Sequence, residues 1–146
     1  MTNSLSKLGF RMPAEWEKQE SIWITWPYNK KDWPGLFEHI PQKVAEIVVS
    51  ISKNQKVNLI IKIGEEVIKL KKFLISFGAN IKNIKFYNIP SNRIWIRDFG
   101  PIYLINKKKR KKIFINFAFR GWSKYKNFNK DNLVNNRISK FTKIKK

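Results

Sequence analysis

One acidic residue stands alone in the middle of a lysine-rich chain. Asp98 is the only Asp or Glu between Glu66 and Asp131, and it follows Trp95 and Arg97 in the stretch RIWIRDFGP. A carboxylate can bind a guanidinium through two parallel hydrogen bonds, while an indole stacks on the face of the same planar cation. We therefore predict that Trp95 and Asp98, three residues apart, line a pocket for a planar cation.

A simpler interpretation of the same residues stays open. In this interpretation Asp98 pairs with Arg97 or caps a turn, and Trp95 belongs to the core, so that no ligand is involved. The two interpretations differ in what the carboxylate contacts and in whether the indole is buried.

Other kinds of catalytic site find no support in the sequence. The chain has no cysteine, which excludes a thiol nucleophile, a disulfide framework and a thiolate metal site. It contains no glycine-rich phosphate loop, no H-E-x-x-H motif and no G-x-S-x-G motif. The single histidine, His39, falls in a predicted helix region and is expected at the surface. We therefore predict no metal and no cofactor.

The net charge of +21 favours nucleic acid as an alternative partner. The basic residues are 25 Lys and only 6 Arg, and they accompany 21 Ile and 15 Asn, the combination that AT-rich coding produces. A protein selected to bind phosphate uses more arginine, because the guanidinium fork binds two oxygens at once. We interpret the run KKKRKK at 107–112 as a solvated hairpin tip and predict no specific nucleic-acid partner.

The apolar pattern predicts several short strands around the Asp98 motif. Strands are predicted at residues 21–27, 56–63, 84–90, 101–106 and 113–119. The unbroken apolar run KVNLIIKI is typical of a strand that is covered on both faces. Trp95 and Asp98 come just after the strand at 84–90, and loops at strand ends are where a rigid scaffold presents binding groups.

Apolar residues at helical spacing predict three helices between and after these strands. The first has Asp32 as its N-cap and reaches about residue 52, with either a kink at Pro41 or a start after it. The second presents an apolar face from Val67 to Phe77. The third includes Val134 and is predicted to run into the C-terminus, since no capping glycine follows it.

Size and composition predict a single mixed α/β domain. The chain has 146 residues, a mass of 17.5 kDa and 42% apolar residues, which suits one folded unit. No stretch approaches the roughly 20 apolar residues of a membrane span, and the N-terminus has no apolar signal core. We expect a soluble, cytoplasmic protein with no membrane partner, and the sequence leaves the oligomeric state open.

Three segments of the chain, taken together, resemble one protein family. The segments are MPAEWEKQESIWITWPYNKKDWPG, RIWIRDFGPIYLIN and FRGWSKY, in that order along the chain. They are similar to the MPAEW opening, the W-x-x-WP stretch, the W-x-R-D-x-GP motif and a third F-N-[AG]-W-G-G-K-Y motif of the agmatine deiminase and bacterial peptidylarginine deiminase family. The resemblance covers nearly all of this chain but under half of a typical family member.

The resemblance implies a fold and an activity. The family fold is a five-bladed α/β propeller, the pentein-like fold, and the predicted elements would fill about one and a half of its blades. Family members hydrolyse a guanidinium to a ureido group and ammonia: a cysteine thiolate attacks, a histidine moves protons and two carboxylates hold the guanidinium nitrogens. The implied substrate is agmatine, converted to N-carbamoylputrescine in putrescine biosynthesis, with peptidyl-arginine as the alternative.

The resemblance also implies roles for individual residues. Asp98 matches the Asp of the W-x-R-D motif and would be one of the two catalytic carboxylates that bind the guanidinium. Trp95 and Trp122 would line the substrate pocket. Arg97 would shape the loop rather than touch substrate.

The chain departs from the family pattern at several positions. Arg93 stands where many members have Asp, and Arg120 and Ser123 replace the usual Asn and Gly. The later Glu, the His-x-Asp motif and the C-terminal Cys of the family have no counterpart in this sequence. The resemblance therefore implies that residues 1–146 are the N-terminal part of a deiminase domain, truncated at the C-terminus and inactive alone. The alternative is a non-enzymatic basic relic that adheres to nucleic acid.

The composition predicts only non-specific binding of duplex DNA. Because the lysines are scattered along the whole chain, binding should occur at low salt, weaken steeply as salt rises and show no sequence preference. Titration of labelled duplexes of several sequences at increasing salt measures both properties. A large preference for one sequence at physiological salt would contradict the prediction.

Overall fold

A computed structural model of the protein describes residues 4–145, and its centre is a parallel sheet of three strands in the order β1-β2-β3. The strands are β1 Ser21–Thr25, β2 Lys56–Ile61 and β3 Ile84–Asn88. In register, Ile24 lies beside Leu59, and Leu59 lies beside Phe86. The central strand β2 is buried over most of its length, which confirms the interpretation of its unbroken apolar run.

Helices α1 Ile40–Ser52 and α2 Val67–Ser76 connect these strands and pack on one face of the sheet. Alternate residues of a strand point to opposite faces, so Val57, Leu59 and Ile61 of β2 all reach this side. They meet Val48 of α1 and Leu74 of α2, both fully buried. The helix spacing read from the sequence therefore identifies the side chains that form this core.

A second apolar cluster covers the opposite face of the sheet. Ile60 of β2 and Tyr87 of β3 point to this side, where they pack against Val134 and Ile138 of helix α4 Asn129–Thr142. The remaining elements are a short helix α3 Ile96–Phe99 and an antiparallel hairpin of β4 Ile102–Asn106 and β5 Lys111–Ile115. The indole N–H of Trp23 in β1 donates to the Tyr103 hydroxyl at 3.1 Å and so links the hairpin to the sheet.

Several predicted boundaries are wrong. The first helix does not start at Asp32: a 3-10 turn, Lys30–Asp32, is capped by Asn29, and α1 begins at Ile40. Pro41 lies in the first turn of α1, so it neither kinks the helix nor stands before its start. Proline fits this position because its missing N–H costs no helical hydrogen bond there. The strand predicted at 113–119 lies at 111–115, so part of the KKKRKK run belongs to β5 and the hairpin tip is confined to 107–110.

The last helix also ends earlier than predicted. It stops at Thr142 because Lys143 adopts a left-handed conformation (φ 59°) and donates its N–H to Ser139 O. The chain then turns back, and the N–H of Phe114 in β5 donates to Lys145 O at 3.1 Å. Lysine therefore takes the capping position that glycine usually occupies.

The segment that precedes β1 is attached to the hairpin. Arg11 and Ile105 exchange two backbone hydrogen bonds of 3.0 and 2.9 Å, which add Arg11 to the edge of β4. The Arg11 guanidinium binds both oxygens of Glu17, at 2.5 and 2.8 Å, and the Ala14 N–H donates to Glu17 Oε1. The hydrogen bond from Arg11, with that from Ala14, lowers the pKa of the Glu17 carboxyl from 4.5 to about 2.

Within residues 4–145, every helix is too short or too polar to cross a bilayer.

Acid should weaken the attachment of the N-terminal segment. Because the folded pKa of Glu17 is below the unfolded value, its ionised form stabilises the folded state above pH 4.5, and this contribution is lost as the pH falls toward about 2. Glu17→Gln should therefore flatten the fall in the free energy of unfolding across this range, as measured by urea titration. Glu46→Gln, which removes an exposed carboxylate of α1, is the matched control. An equal change of slope in both variants would contradict the prediction.

Candidate functional site

The candidate site lies beyond the carboxyl ends of the parallel strands. The loop after β1 carries Asp32 and Trp33, and the segment after β3 carries Trp95 and Asp98. Parallel strands direct their carboxyl ends to one edge of the sheet, which is where open α/β sheets bind ligands. The two loops meet there, since the rings of Trp33 and Trp95 lie 5.5 Å apart.

Asp98 lies exposed in α3, in contact with a residue far along the chain. The indole N–H of Trp122 donates to Asp98 Oδ1 at 3.2 Å, across 24 residues of sequence. Within residues 4–145 the Asp98 carboxylate forms no ion pair with any lysine or arginine. In a chain with a charge of +21, the carboxylate thus remains available to a cation from outside.

Backbone geometry holds the Trp122 indole in this place. Trp122 has a left-handed conformation (φ 51°), in a 3-10 turn Gly121–Ser123. Gly121 is buried with φ 60°, and a Cβ there would lie 3.0 Å from the Phe128 ring, so both the conformation and the space favour glycine. The Trp122 ring packs edge-to-face on Phe119, with centroids 4.8 Å apart.

The structure contradicts two parts of the simpler interpretation of the motif. Trp95 does not belong to the core, because it is 39% exposed. Arg97 does not pair with Asp98: its side chain is 91% exposed and its guanidinium contacts Glu15 at 3.2 Å. The structure therefore joins Asp98 to Trp122 and Trp95 to Trp33, while Arg97 lies outside both contacts. The binding roles of Asp98, Trp95 and Trp122 stay predictions. The loop-shaping role of Arg97 also stays a prediction.

His39 is exposed at the end of a 3-10 turn, as predicted. Among the described residues no three Asp, Glu or His side chains lie close enough together to hold a metal ion.

Two cavities in the described part of the chain lie away from Asp98. One of about 480 Å³ lies between the Arg11 segment and the hairpin tip, and one of about 220 Å³ lies beside Trp26 and Pro41. Neither of these two cavities is lined by Asp98 or Trp122.

Sequence reasoning missed the buried charges behind the candidate site. The side chains of Arg93 and Asp32 are 3% and 5% exposed, with Arg93 Nε 3.7 Å from Asp32 Oδ1. Asp131 is fully buried and accepts the backbone N–H groups of Asn92 and Arg93 at 2.5 and 3.2 Å. The one hint of this buried group in the sequence was Arg93, which stands where many members of the family have Asp.

Burial raises the pKa of both acids in this buried group. The Arg93 guanidinium partly offsets the rise in the pKa of Asp32. The rise in the pKa of Asp131 is offset mainly by the hydrogen bonds from the backbone N–H groups of Asn92 and Arg93. Burial also raises the pKa of Tyr28, whose hydroxyl donates to Ser91 O. The loops around the site are therefore anchored by desolvated polar groups rather than by apolar contacts alone.

Comparison of the sequence with known proteins gives a family match. The sequence profile of the Porphyromonas-type peptidyl-arginine deiminase family matches residues 11–146. A relative from Marinomonas sp. (strain MWYL1), provisionally named agmatine deiminase, is 27% identical over 139 residues, which are 92% of this chain and 36% of the relative. One from Legionella pneumophila subsp. pneumophila (strain Philadelphia 1), with the same name, is 26% identical over 97% of this chain and 39% of its own length.

Solved structures share the fold. A cysteine-to-serine variant of C. jejuni agmatine deiminase with substrate bound matches at a TM-score of 0.75 and 29% identity, over 94% of this chain and 38% of that one. The agmatine deiminase of Enterococcus faecalis matches at a TM-score of 0.81 and 24% identity, over 95% of this chain and 37% of that one. At this identity the match supports the fold alone.

The fold is thus an α/β fold of the agmatine deiminase, or pentein, type. The chain belongs to the Porphyromonas-type peptidyl-arginine deiminase family, a family of guanidino-group deiminases. It spans less than half the length of the curated relatives and solved structures that it matches.

A side chain at position 100 should disturb the contact between Asp98 and Trp122. Gly100 ends α3 by donating to Ile96 O at 2.7 Å, and a Cβ there would lie 2.3 Å from the same oxygen. Gly100→Ala should therefore cost about 1–3 kcal/mol of stability through overpacking and should move the Trp122 indole N–H signal in a ¹H–¹⁵N spectrum.

The matched control is Gly64→Ala, where a Cβ would meet nothing within 4 Å and the cost comes from the positive φ of 83°. This control should lose stability without moving the Trp122 signal. An unmoved signal in Gly100→Ala would show that the helix end does not position Asp98.

Proposed function

We propose that this chain supplies part of the guanidinium-binding site of a deiminase that hydrolyses agmatine to N-carbamoylputrescine and ammonia, as in putrescine biosynthesis. The contact between Trp122 and Asp98 carries the proposal. It presents a carboxylate without an ionic partner in residues 4–145, beside an indole that is partly exposed. A planar cation is the ligand that such a pair of groups suits best.

The proposed role of Asp98 is to accept N–H groups of the guanidinium. The Trp122 indole N–H donates to Oδ1 at 3.2 Å. Within the described residues no other side chain donates to Asp98, so lone pairs on both oxygens can still accept hydrogen bonds. Trp95 and Trp122 are 39% and 45% exposed, and we propose that their indoles stack on the cation. The negative charge would also keep the bound guanidinium protonated and oriented.

The chemical step would need groups that this sequence does not contain. Attack on a guanidinium carbon requires a strong nucleophile, and the chain has no cysteine. The C. jejuni structure with substrate bound is a cysteine-to-serine variant, which supports a cysteine in this role in that enzyme. We infer that residues 1–146 are the N-terminal part of a deiminase domain and are inactive alone. They would fill about one and a half blades of a five-bladed propeller.

Peptidyl-arginine is the alternative substrate. The name of the matching family favours it, whereas the names of the individual relatives favour agmatine. Both substrates end in the guanidinium that Asp98 would bind, so these residues alone do not separate them. We further propose a cytoplasmic location, which is typical of this family. A relic that only adheres to nucleic acid is the second candidate, and the charge of +21 is the observation that favours it.

The purified chain should bind agmatine weakly through Asp98 and release no ammonia from it. Asp98→Asn should weaken agmatine binding about tenfold, because a hydrogen bond to a charged group contributes ~1.5–3 kcal/mol. Titration followed by the indole N–H signals of the tryptophans measures the affinity. Glu38→Gln removes an exposed carboxylate elsewhere and is the matched control.

Two further ligands separate the alternatives. 1,4-Diaminobutane has the cationic amine without the guanidinium and should not move the Trp122 signal, while N-acetylarginine amide tests the peptidyl-arginine alternative. Equal binding of 1,4-diaminobutane and agmatine, or equal losses in Asp98→Asn and Glu38→Gln, would contradict the proposed function. Ammonia release above the buffer rate that is abolished in Asp98→Asn would show a nucleophile other than cysteine.

A further inference from the structure

Arg93 is a buried cation held by polar groups from separate segments. Its side chain is 3% exposed, and burying a charge is costly unless hydrogen bonds and an opposite charge compensate it. Nη1 donates to Asn127 O at 2.8 Å and Nη2 donates to Asn127 Oδ1 at 2.7 Å. The guanidinium carbon lies 3.9 Å above the Tyr125 ring, and Nε is 3.7 Å from Asp32 Oδ1.

The partners of Arg93 are close neighbours of the candidate site residues. Tyr125 packs on Trp122, with ring centroids 6.1 Å apart, and Trp122 donates to Asp98. On the other side, Asp32 precedes Trp33, whose ring meets Trp95. One guanidinium therefore touches both the loop that carries Trp122 and the loop that carries Trp33.

The start of helix α4 fixes the backbone from which Arg93 extends. Asp131 accepts the N–H of Asn92 and the N–H of Arg93, and Asn92 Oδ1 in turn accepts the N–H of Lys130. The Arg93 backbone therefore cannot shift without breaking hydrogen bonds at buried groups. The backbone of Arg93 is therefore held by α4, while its guanidinium contacts both loops.

We propose that Arg93 is a positioning residue that places the Trp122 indole on Asp98. It acts through Tyr125 and Asn127 and does not touch the ligand. The importance of this placement for binding rests on the proposed function, whereas the placement itself does not. Lysine cannot replace arginine here, because only a planar fork stacks on a ring and donates to two acceptors at the same time.

The test follows the Trp122 indole N–H in ¹H–¹⁵N spectra of the full chain without ligand. The chain has six tryptophans, and the signal that disappears in Trp122→Phe is assigned to Trp122. Asp98→Asn gives the shift that corresponds to loss of the hydrogen bond. Arg93→Met and Arg93→Lys should both move the signal by at least half of that shift.

Arg110→Met is the matched control, since it removes the same charge from an exposed side chain in the hairpin tip, away from the site. It should leave the Trp122 signal in place. A wild-type signal in Arg93→Lys, or equal shifts in Arg93→Met and Arg110→Met, would overturn the proposal, because charge alone would then explain the effect. Loss of stability in Arg93→Met with an unmoved Trp122 signal would show a merely structural role and would also overturn it.

A milder variant covers the case in which the Arg93 variants do not fold. Asn127→Ala removes the Nη2 acceptor from an exposed residue and keeps the backbone acceptor. It should move the Trp122 signal in the direction of Asp98→Asn by a smaller amount, and an unmoved signal would overturn the proposal.

Agmatine titration of the variants separates this inference from the proposed function. If both hold, Arg93→Lys weakens agmatine binding about tenfold, which is 1.4 kcal/mol. If the wild-type chain does not bind agmatine but the Trp122 signal moves as described, the proposed function fails and the positioning role stands.

Discussion

A buried cation must be met by polar partners, and in this protein those partners lie far apart in the sequence. The Arg93 guanidinium is compensated by Asn127, the Tyr125 ring and Asp32, and its backbone is fixed by Asp131. Apolar packing alone would leave the surface loops free to choose among many arrangements. Directional hydrogen bonds to a desolvated charge favour the arrangement in which they form, because a buried polar group without a partner is costly. The Arg93 guanidinium meets this requirement through Nη1 and Nη2, while among the described residues Nε has only the ionic contact with Asp32.

The sheet provides the platform on which this arrangement is built. Apolar side chains cover both faces of β2, and the loops beyond the carboxyl ends of the strands carry polar groups. Asp98 lies on the open side of these loops, in contact with Trp122. A site that encloses a small cation needs further walls, and the solved relatives are more than twice as long as this chain.

The charge balance of the chain makes Asp98 stand out further. Most of the described acids pair with a lysine or arginine at the surface, as Glu15 does with Arg97 and Glu20 with Lys112. Exposed pairs of this kind contribute little to stability, because water and salt screen them. Within residues 4–145, Asp98 lacks such a pair, as do Glu65 and Asp131, and among these three acids it is the one that accepts an indole N–H.

The sequence by itself determined the presence and order of the strands and of the two core helices, and it drew attention to Asp98 as the one acid in a long basic stretch. Apolar periodicity depends only on which side chains must leave water, so β2 and α2 were predicted within a few residues. The start of α1 was predicted at Asp32 but lies at Ile40, because proline and N-capping residues fit the first turn of a helix at either place. The contact of Asp98 with Trp122 and the burial of Arg93 were decided only by tertiary structure. Local sequence does not encode them, since a charge becomes buried only when distant segments supply its partners.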